Sequence, residues 1–340
     1  MKFKYIFLIL ILSLILVGCS ELDSSLREPV DPENKTLVSV TIEEGSSWNE
    51  VAQKLSELKL IASKGALIDI VKEKGYNDRL YAGTAELSQS MNLEQILEIL
   101  VGEGRTKNSV TITIPEGYEF NEIAKILEEK NVITKDKLLE GIKNFDTSKY
   151  DFLKGIDKKY NFEGFLYPDT YDFFENSSAD DVLEKFLDRF NEIFNEEYKA
   201  QLKKSGYDMN QIITMASIIE REGRLPEELP IMASVFYNRL KTDMPLGSCA
   251  TVQFILQERK QYLSIEDTQI NSPYNTYINV GLPPAPIASP GEGAIKAALF
   301  PAKTDYLFFV LEDEDTGKHK FSKTYEEHEM NIQNSNAIPE

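Results

Sequence analysis

The sequence predicts an α+β protein in which a small N-terminal module is joined to a larger mixed α/β domain. Three observations carry this. A strand, turn and helix segment recurs in the first half of the chain; much of the second half repeats apolar residues at helical spacing; and a proline-rich aperiodic region follows the central helices. The 340 residues allow two cores, and 42% hydrophobic content is ordinary for a globular chain. The formal net charge of −19 argues against a nucleic-acid binder, which needs a basic stripe to meet phosphate.

Met1 to Ser20 reads as an export signal. Lys2 and Lys4 form its positive region, Tyr5 to Val17 its apolar region, and Leu16-Val17-Gly18-Cys19 has the form of a lipobox. In that reading Cys19 becomes the lipidated first residue of the mature chain, held on a membrane by its acyl chains. The other arrangement is an uncleaved anchor, for which the apolar run is short. In both, the lysines stay in the cytoplasm and the body lies outside. Residues 1–19 are thus a signal peptide or anchor, and 20–37, with Pro29, Pro32 and many acidic and serine residues, an extended tether.

Only Cys19 and Cys249 are present, with His319 and His328 as the chain's two histidines. No disulfide framework, cysteine-rich zinc site, other metal site or cofactor site is expected from so few ligands. Cys249 reads as a buried small residue.

The repeat begins at Val40-Thr41-Ile42-Glu43-Glu44-Gly45, followed by Trp48 and Val51-Ala52. It recurs as Ile112-Thr113-Ile114-Pro115-Glu116-Gly117, followed by Phe120 and Ile123-Ala124, an offset of 112 − 40 = 72 residues. In each copy an alternating strand reaches a glycine turn, and a helix opens on an aromatic residue. A further strand at Ala82 to Leu87 and a helix at Leu93 to Leu100 complete a module over 38–108. Residues 109–155 form the second repeat-like segment and a connector, with Lys135 to Lys154 helical. The larger domain covers 156–335.

That domain opens with aromatics among carboxylates: Phe165, Tyr167, Tyr171, Phe173 and Phe174 beside Glu163, Asp169 and Asp172. Such a composition suits a sugar-binding groove, since aromatic faces stack on sugar rings and acids accept hydroxyl protons. It equally suits a core-lining loop. Asp180 to Lys204 reads as one long amphipathic helix.

The next helix, capped by Asp208, places Ile212, Ala216 and Glu220 on one line flanked by Ile213, Met215 and Ile219, and stops at Gly223 and Pro226. Glu220 thus ends an apolar stripe near the negative end of the helix dipole. Both features favour its protonated form, as a general acid requires. The plainer reading is a solvated Glu220 paired with Arg221 or Arg224. Glu222 cannot readily serve as a partner acid, since two residues rotate a helical side chain by about 200°. A helix at Glu227 to Lys241 follows, then rigid loops through Asn271 to Tyr277 and Gly281 to Gly291. The chain closes with a helix at Ala294 to Leu299, a strand at Tyr306 to Leu311, and Lys320 to Asn334 over the sheet.

The strings Ala216-Ser217-Ile218-Ile219-Glu220-Arg221-Glu222 and Ala233-Ser234-Val235-Phe236-Tyr237-Asn238-Arg239-Leu240 resemble the signature of the YceG-like (MltG) endolytic murein transglycosylases. The resemblance continues through Glu163-Gly164-Phe165-Leu166-Tyr167-Pro168-Asp169-Thr170-Tyr171, Met244-Pro245-Leu246, Thr251-Val252-Gln253, Asn275-Thr276-Tyr277 and Gly281-Leu282-Pro283-Pro284. It implies an N-terminal LysM-like module and a YceG-like catalytic domain. It also implies catalysis by Glu220 alone, with Ser248, Thr251, Gln253, Asn275 and Tyr277 near the groove, and it favours the groove reading for Glu163, Tyr167 and Tyr171. The chain departs from the family at Gly247-Ser248-Cys249-Ala250, where many relatives have an aspartate in place of Cys249, so no acid at position 249 can take part.

The implied activity is cleavage of the MurNAc-GlcNAc bond of nascent peptidoglycan strands without water, leaving 1,6-anhydroMurNAc ends. The implied partners are glycan strands, the membrane and the peptidoglycan synthases. Two other readings stand beside it: a muramidase-type hydrolase in which Glu163 or Asp169 activates water, and a non-catalytic cell-wall-binding lipoprotein that uses the repeat as a tether.

Overall fold

The structure is a computed structural model that describes residues 25–336 apart from 44, 78, 82, 103–108 and 261; Cys19 lies outside the described residues. It is a mixed α+β fold of thirteen α-helices and three two-stranded sheets among the described residues. None of these helices is long and apolar enough to cross a membrane. The chain divides into two compact units, one reaching Ser109 and including Phe174–Asn176, the other made of Val110–Phe173 and the residues from Ser177 onward.

In the first unit β1 (Val38–Ile42) leads to α1 (Trp48–Glu57) and α2 (Lys64–Glu73), and β2 (Gly83–Leu87) leads to α3 (Leu93–Val101). The strands pair antiparallel from Val38 opposite Leu87 to Ile42 opposite Gly83. Ser47 and Glu50 form a capping box on α1, and Asn92 and Gln95 form one on α3, so the first-turn amides that lack helical partners are met locally. Val40, Val51, Leu55, Leu67, Ile70, Leu87 and Leu97 close a core of their own. Helix α2, capped by Ser63, is an element the spacing had not announced.

The second copy of the repeat belongs to the other unit. There β3 (Ser109–Thr113) leads to α4 (Phe120–Glu129) and α5 (Lys135–Asn144), and β4 (Thr170–Phe174) pairs back with β3. The hydroxyl of Thr111 donates to Asp172 at 2.6 Å and Thr113 meets Thr170 at 2.9 Å, so the two strands run antiparallel. The repeat therefore extends beyond residue 155, and it shares one core with the rest of its unit. Helix α5 stops at Asn144 instead of running to Lys154. Asp146 accepts the Ser148 amide at 2.9 Å, and this local turn competes with helix.

Two expectations over the next stretch are corrected. Phe165, Tyr171 and Phe173 are buried and pack with Phe186 and Phe190, so these three build core and not an open groove; Tyr167, also buried, lies nearer Glu116 and Glu292. The segment from Asp180 to Lys204 is two helices, α6 (Ala179–Ile193) and α7 (Glu196–Ser205). Asn195 breaks it by accepting the amides of Glu197 and Tyr198 at 3.0 and 3.2 Å, which starts a new helix.

At the centre is α8 (Met209–Glu222). Every residue from Ile212 to Ile219 is buried, so the helix is enclosed on all sides and not only along a stripe. It packs chiefly on α12 (Glu292–Leu299), and also on α9 (Leu229–Lys241) and α10 (Cys249–Leu256); the short α11 (Ile265–Thr268) lies between α10 and the loops. Its buried Ser217 hydroxyl donates to Thr214 O at 2.8 Å and accepts the Ile287 amide at 3.0 Å, tying the proline-rich loop to the helix. The chain ends in an antiparallel hairpin, β5 (Phe308–Asp313) and β6 (Lys318–Ser322), covered by α13 (Tyr325–Gln333). The first residues of the segment from Lys320 are thus strand, and only the remainder is helix.

The loop at Glu163 joins the repeat to α8. Gly164 holds φ +83°, and a β-carbon there would lie 2.5 Å from Pro286 and 2.9 Å from Ile213, so only glycine fits. Glu163 itself is buried and accepts the Phe120 amide with both oxygens, at 3.1 and 2.9 Å. Burial pushes its carboxyl up to about 8; the amide opposes this, and Glu119 and Glu122 add to it. The folded chain therefore holds this proton longer than the unfolded chain does. Its contribution to stability is full at acid pH and is lost as pH rises from about 4.5 to about 8. Urea midpoints measured from pH 5 to 9 should fall less steeply in Glu163→Gln than in the parent, and equal slopes would show that this carboxyl titrates as in water.

Candidate active site

Helix α8 is fixed at both ends. Asp208 accepts the Gln211 amide at 2.8 Å while Gln211 accepts the Asp208 amide at 2.9 Å, and the helix stops where the Gly223 amide bonds Ile219 O at 2.8 Å. Its last turn carries Glu220, Arg221 and Glu222 out of the core.

Glu220 is half-buried. One carboxylate oxygen accepts the Gly291 amide at 3.0 Å, at the N-terminal end of α12. Gly117 packs against the Glu220 side chain from the other side, its β-carbon position 3.7 Å from Cγ. The Gly117 amide donates to Ser289 O and the Ser289 amide donates to Tyr118 O, both at 2.8 Å. Three distant segments thus meet here: the turn of the second repeat, the end of α8 and the proline-rich loop.

Burial is the main cause that pushes the Glu220 carboxyl up to about 7. The Gly291 amide, which favours the anion, opposes it, and the charge of Glu116 adds to it. Among the described residues no Lys or Arg pairs with Glu220. Arg221 donates instead to Glu119 at 3.0 Å and Gln253 at 3.1 Å; both side chains of its ion pair are nearly enclosed, at 7% and 8% exposure. Arg224 donates to Glu314 O at 3.4 Å. An acid with a proton affinity near neutrality and no cation to hold it ionised can give up a proton and take one back.

Glu222 faces elsewhere. Its carboxylate accepts the Ser248 hydroxyl, and the Ala250 amide at 3.3 Å, at the start of α10. Gln253 lies beside the site through Arg221 and donates to Lys260 O at 2.8 Å. Ser248, Thr251 and Asn275 are buried within the loop scaffold. The Ser248 amide donates to the Thr276 hydroxyl at 3.0 Å, Thr251 meets that hydroxyl at 2.9 Å, and Asn275 donates to Thr268 O and Ile270 O. Tyr277 is half-buried with its hydroxyl 2.9 Å from Cys249 Sγ.

The upstream residues divide. Glu163 caps α4 and is enclosed, so it does not line an open wall. Tyr171 donates to Tyr167 O at 2.6 Å from within the aromatic core. Tyr167, at 5% exposure, is the one that approaches the site. Burial first, then the charges of Glu292 and Glu116, hold its hydroxyl protonated up to about 12.

Sequence reasoning missed Glu116 and Gly117 as neighbours of Glu220. The strings Ile114-Pro115-Glu116-Gly117 and Ser289-Pro290-Gly291 were visible as turns, but nothing local says that two turns so far apart in the chain converge on one helix end. Among the described residues no three His, Cys, Asp or Glu side chains are grouped to hold a metal ion.

Residues 40–334 match the YceG-like family. The chain is similar to the endolytic murein transglycosylase of Bacillus subtilis (strain 168), 36% identical over 328 residues that cover 93% of this chain and 89% of that protein. It is similar to the endolytic murein transglycosylase of Streptococcus pneumoniae serotype 2 (strain D39), 32% identical over 336 residues that cover 92% of this chain; it spans 60% of that longer protein. A crystal structure of a yceG-like protein from Listeria monocytogenes superposes with a TM-score of 0.58 at 34% identity, covering 86% of this chain and 98% of that one. With its core motifs, its fold and nearly its whole length matched, the chain belongs to the YceG-like family.

Proposed function

We propose that this protein is an endolytic lytic transglycosylase of peptidoglycan, which cuts MurNAc-GlcNAc bonds within glycan strands without water. The observation that carries the reading is Glu220: a half-buried carboxyl raised to about 7, unpaired by any described cation and held by the Gly291 amide where three segments meet. The names of the relatives from Bacillus subtilis and Streptococcus pneumoniae support the substrate class.

The chemistry needs one acid. Glu220 gives its proton to the glycosidic oxygen as the bond from that oxygen to C1 of MurNAc breaks. The C6 hydroxyl oxygen of the same sugar then bonds C1, and its proton returns to Glu220. Atoms balance with no water consumed, the enzyme is regenerated, and the product carries a 1,6-anhydroMurNAc end. A hydrolase would need a second carboxylate to direct water. Neither candidate supports that role, since Glu163 is engaged by Phe120 and Asp169 pairs with Arg189 at 2.6 Å.

The finer features rest on the same reading. The first unit, two strands and helices around a closed core, is a LysM-like module that presents the enzyme to glycan. Lipidation at Cys19 or an uncleaved N-terminal helix holds it on the outer face of the membrane, where strand-polymerising synthases release their product. Gln253, Tyr167 and Tyr277 border the bound strand, with Ser248, Thr251 and Asn275 holding those loops in place.

Digestion of purified uncross-linked strands, followed by mass spectrometry, should yield anhydro termini; reducing termini would defeat the lyase assignment, and an unchanged length distribution would favour a wall-binding protein. Glu220→Gln should keep the parental circular dichroism and melting temperature and lose about a hundredfold or more in turnover. The pH profile has a defined sign as well. The free enzyme must start with Glu220 protonated, so kcat/KM should fall as pH rises through about 7. A profile flat from pH 6 to 9 would exclude Glu220 as the proton donor.

A further inference from the structure

Glu220 is not the only acid at this helix end. The repeat turn that brings Gly117 against Glu220 also carries Glu116, whose exposed side chain lies directly over Gly291: a β-carbon at Gly291 would fall 1.9 Å from a Glu116 carboxylate oxygen. Gly291 is also the residue whose amide binds Glu220. One glycine thus separates two carboxylates, and any larger residue would drive Glu116 away. The turn has little freedom to withdraw, because Gly117 and Tyr118 are both bonded to Ser289.

We propose that Glu116 is a positioning residue for the reaction, a second carboxylate built into the site whose negative charge beside Glu220 keeps the proton on the general acid until substrate takes it. The assignment rests on Glu220 being that acid. The other charged groups around Glu220 are committed elsewhere. Arg221 is bonded to Glu119 and Gln253, and Glu222 to Ser248 and Ala250. Glu292 of α12 accepts the Tyr198 hydroxyl at 2.9 Å, and Arg259, just after α10, donates to Gly117 O at 3.2 Å and pairs with Glu122 at 2.8 Å. Glu116 has no such ion pair among the described residues. Its charge is also one of the causes that raise Glu220. Like charges at short range disfavour the second ionisation, and half-burial of Glu220 preserves that effect from full screening by salt.

The test is the pH dependence of kcat/KM for the full chain on purified uncross-linked glycan, comparing the parent with Glu116→Gln and Glu116→Asp. Removal of the charge should move the alkaline midpoint to lower pH. Glu116→Gln should then lose about threefold to tenfold at pH 8 and keep parental rates at pH 5.5. Glu116→Asp, which restores the charge, should return the midpoint to that of the parent. An unmoved midpoint in Glu116→Gln would overturn the proposal, as would an equal shift in Glu116→Asp. A folded Glu116→Gln that is inactive at every pH would also overturn it, by placing Glu116 on the reacting atoms. Glu220→Gln separates the two levels: if it stays active, the general-acid reading fails, and if it is inactive while Glu116→Gln keeps the parental profile, only the role of Glu116 fails.

Discussion

The hydrogen bond from the Gly291 amide to Glu220 is where the demands on this structure meet. A carboxyl in water ionises near 4.5, and enclosure, helped by the charge of Glu116, favours its protonated form. The amide pulls the other way, toward the anion, and the balance stands at about 7. That displacement corresponds to roughly 3 kcal/mol of preference for the acid form. A group so poised can both give up a proton and take one back near neutral pH, which is what the proposed reaction asks of it. Everything that fixes the bond is remote in sequence. Helix α8 is held by burial on all sides, Gly291 by the start of α12, and the loop before it by the Ser217 hydroxyl on Ile287.

The two copies of the repeat show how one supersecondary unit serves two ends. In the first, Ser47 and Glu50 cap α1 within the unit, and the apolar faces close on one another. In the second, Glu119 stands where Ser47 stands, and its carboxylate reaches Arg221 of α8. The first amide of α4 is then met by Glu163 from outside the segment. Glu122 still accepts the Glu119 amide at 2.9 Å, so a bridge has been added to the cap. The consequence is that this copy merges with the larger core and its turn is delivered to Glu220.

How much of this the sequence discloses depends on the range of the interaction. The repeat, the Asp208 cap, the stop at Gly223 and the half-buried acid at the end of α8 are written in local patterns, and all were legible. The break at Asn195 was legible in principle, since an Asn followed by two glutamates opens a helix, but the apolar period runs through it unbroken. The aromatics from Phe165 to Phe173 could not be placed by composition, because a core and a sugar groove use the same residues. Only the packing on Phe186 and Phe190 decides between them. The junction of Glu116, Glu220 and Gly291 was beyond reach for a different reason: it depends on three segments whose approach is set by tertiary packing.

The triplet Glu220-Arg221-Glu222 shows why adjacency in the chain is a poor guide to partnership at a helix end. Each residue turns the side chain by about 100°, so three consecutive charges leave α8 in three directions. Glu220 meets Gly291, Arg221 meets Glu119 and Gln253, and Glu222 meets the start of α10. Arg221 could neutralise Glu220 only by abandoning a nearly enclosed ion pair, which would leave Glu119 buried without its partner. The neighbour that would seem the natural counter-ion is thereby kept from the acid. The cationic side chain stabilises the scaffold, and the carboxyl next to it, with that cation bound elsewhere, is left to the burial that favours its protonated form.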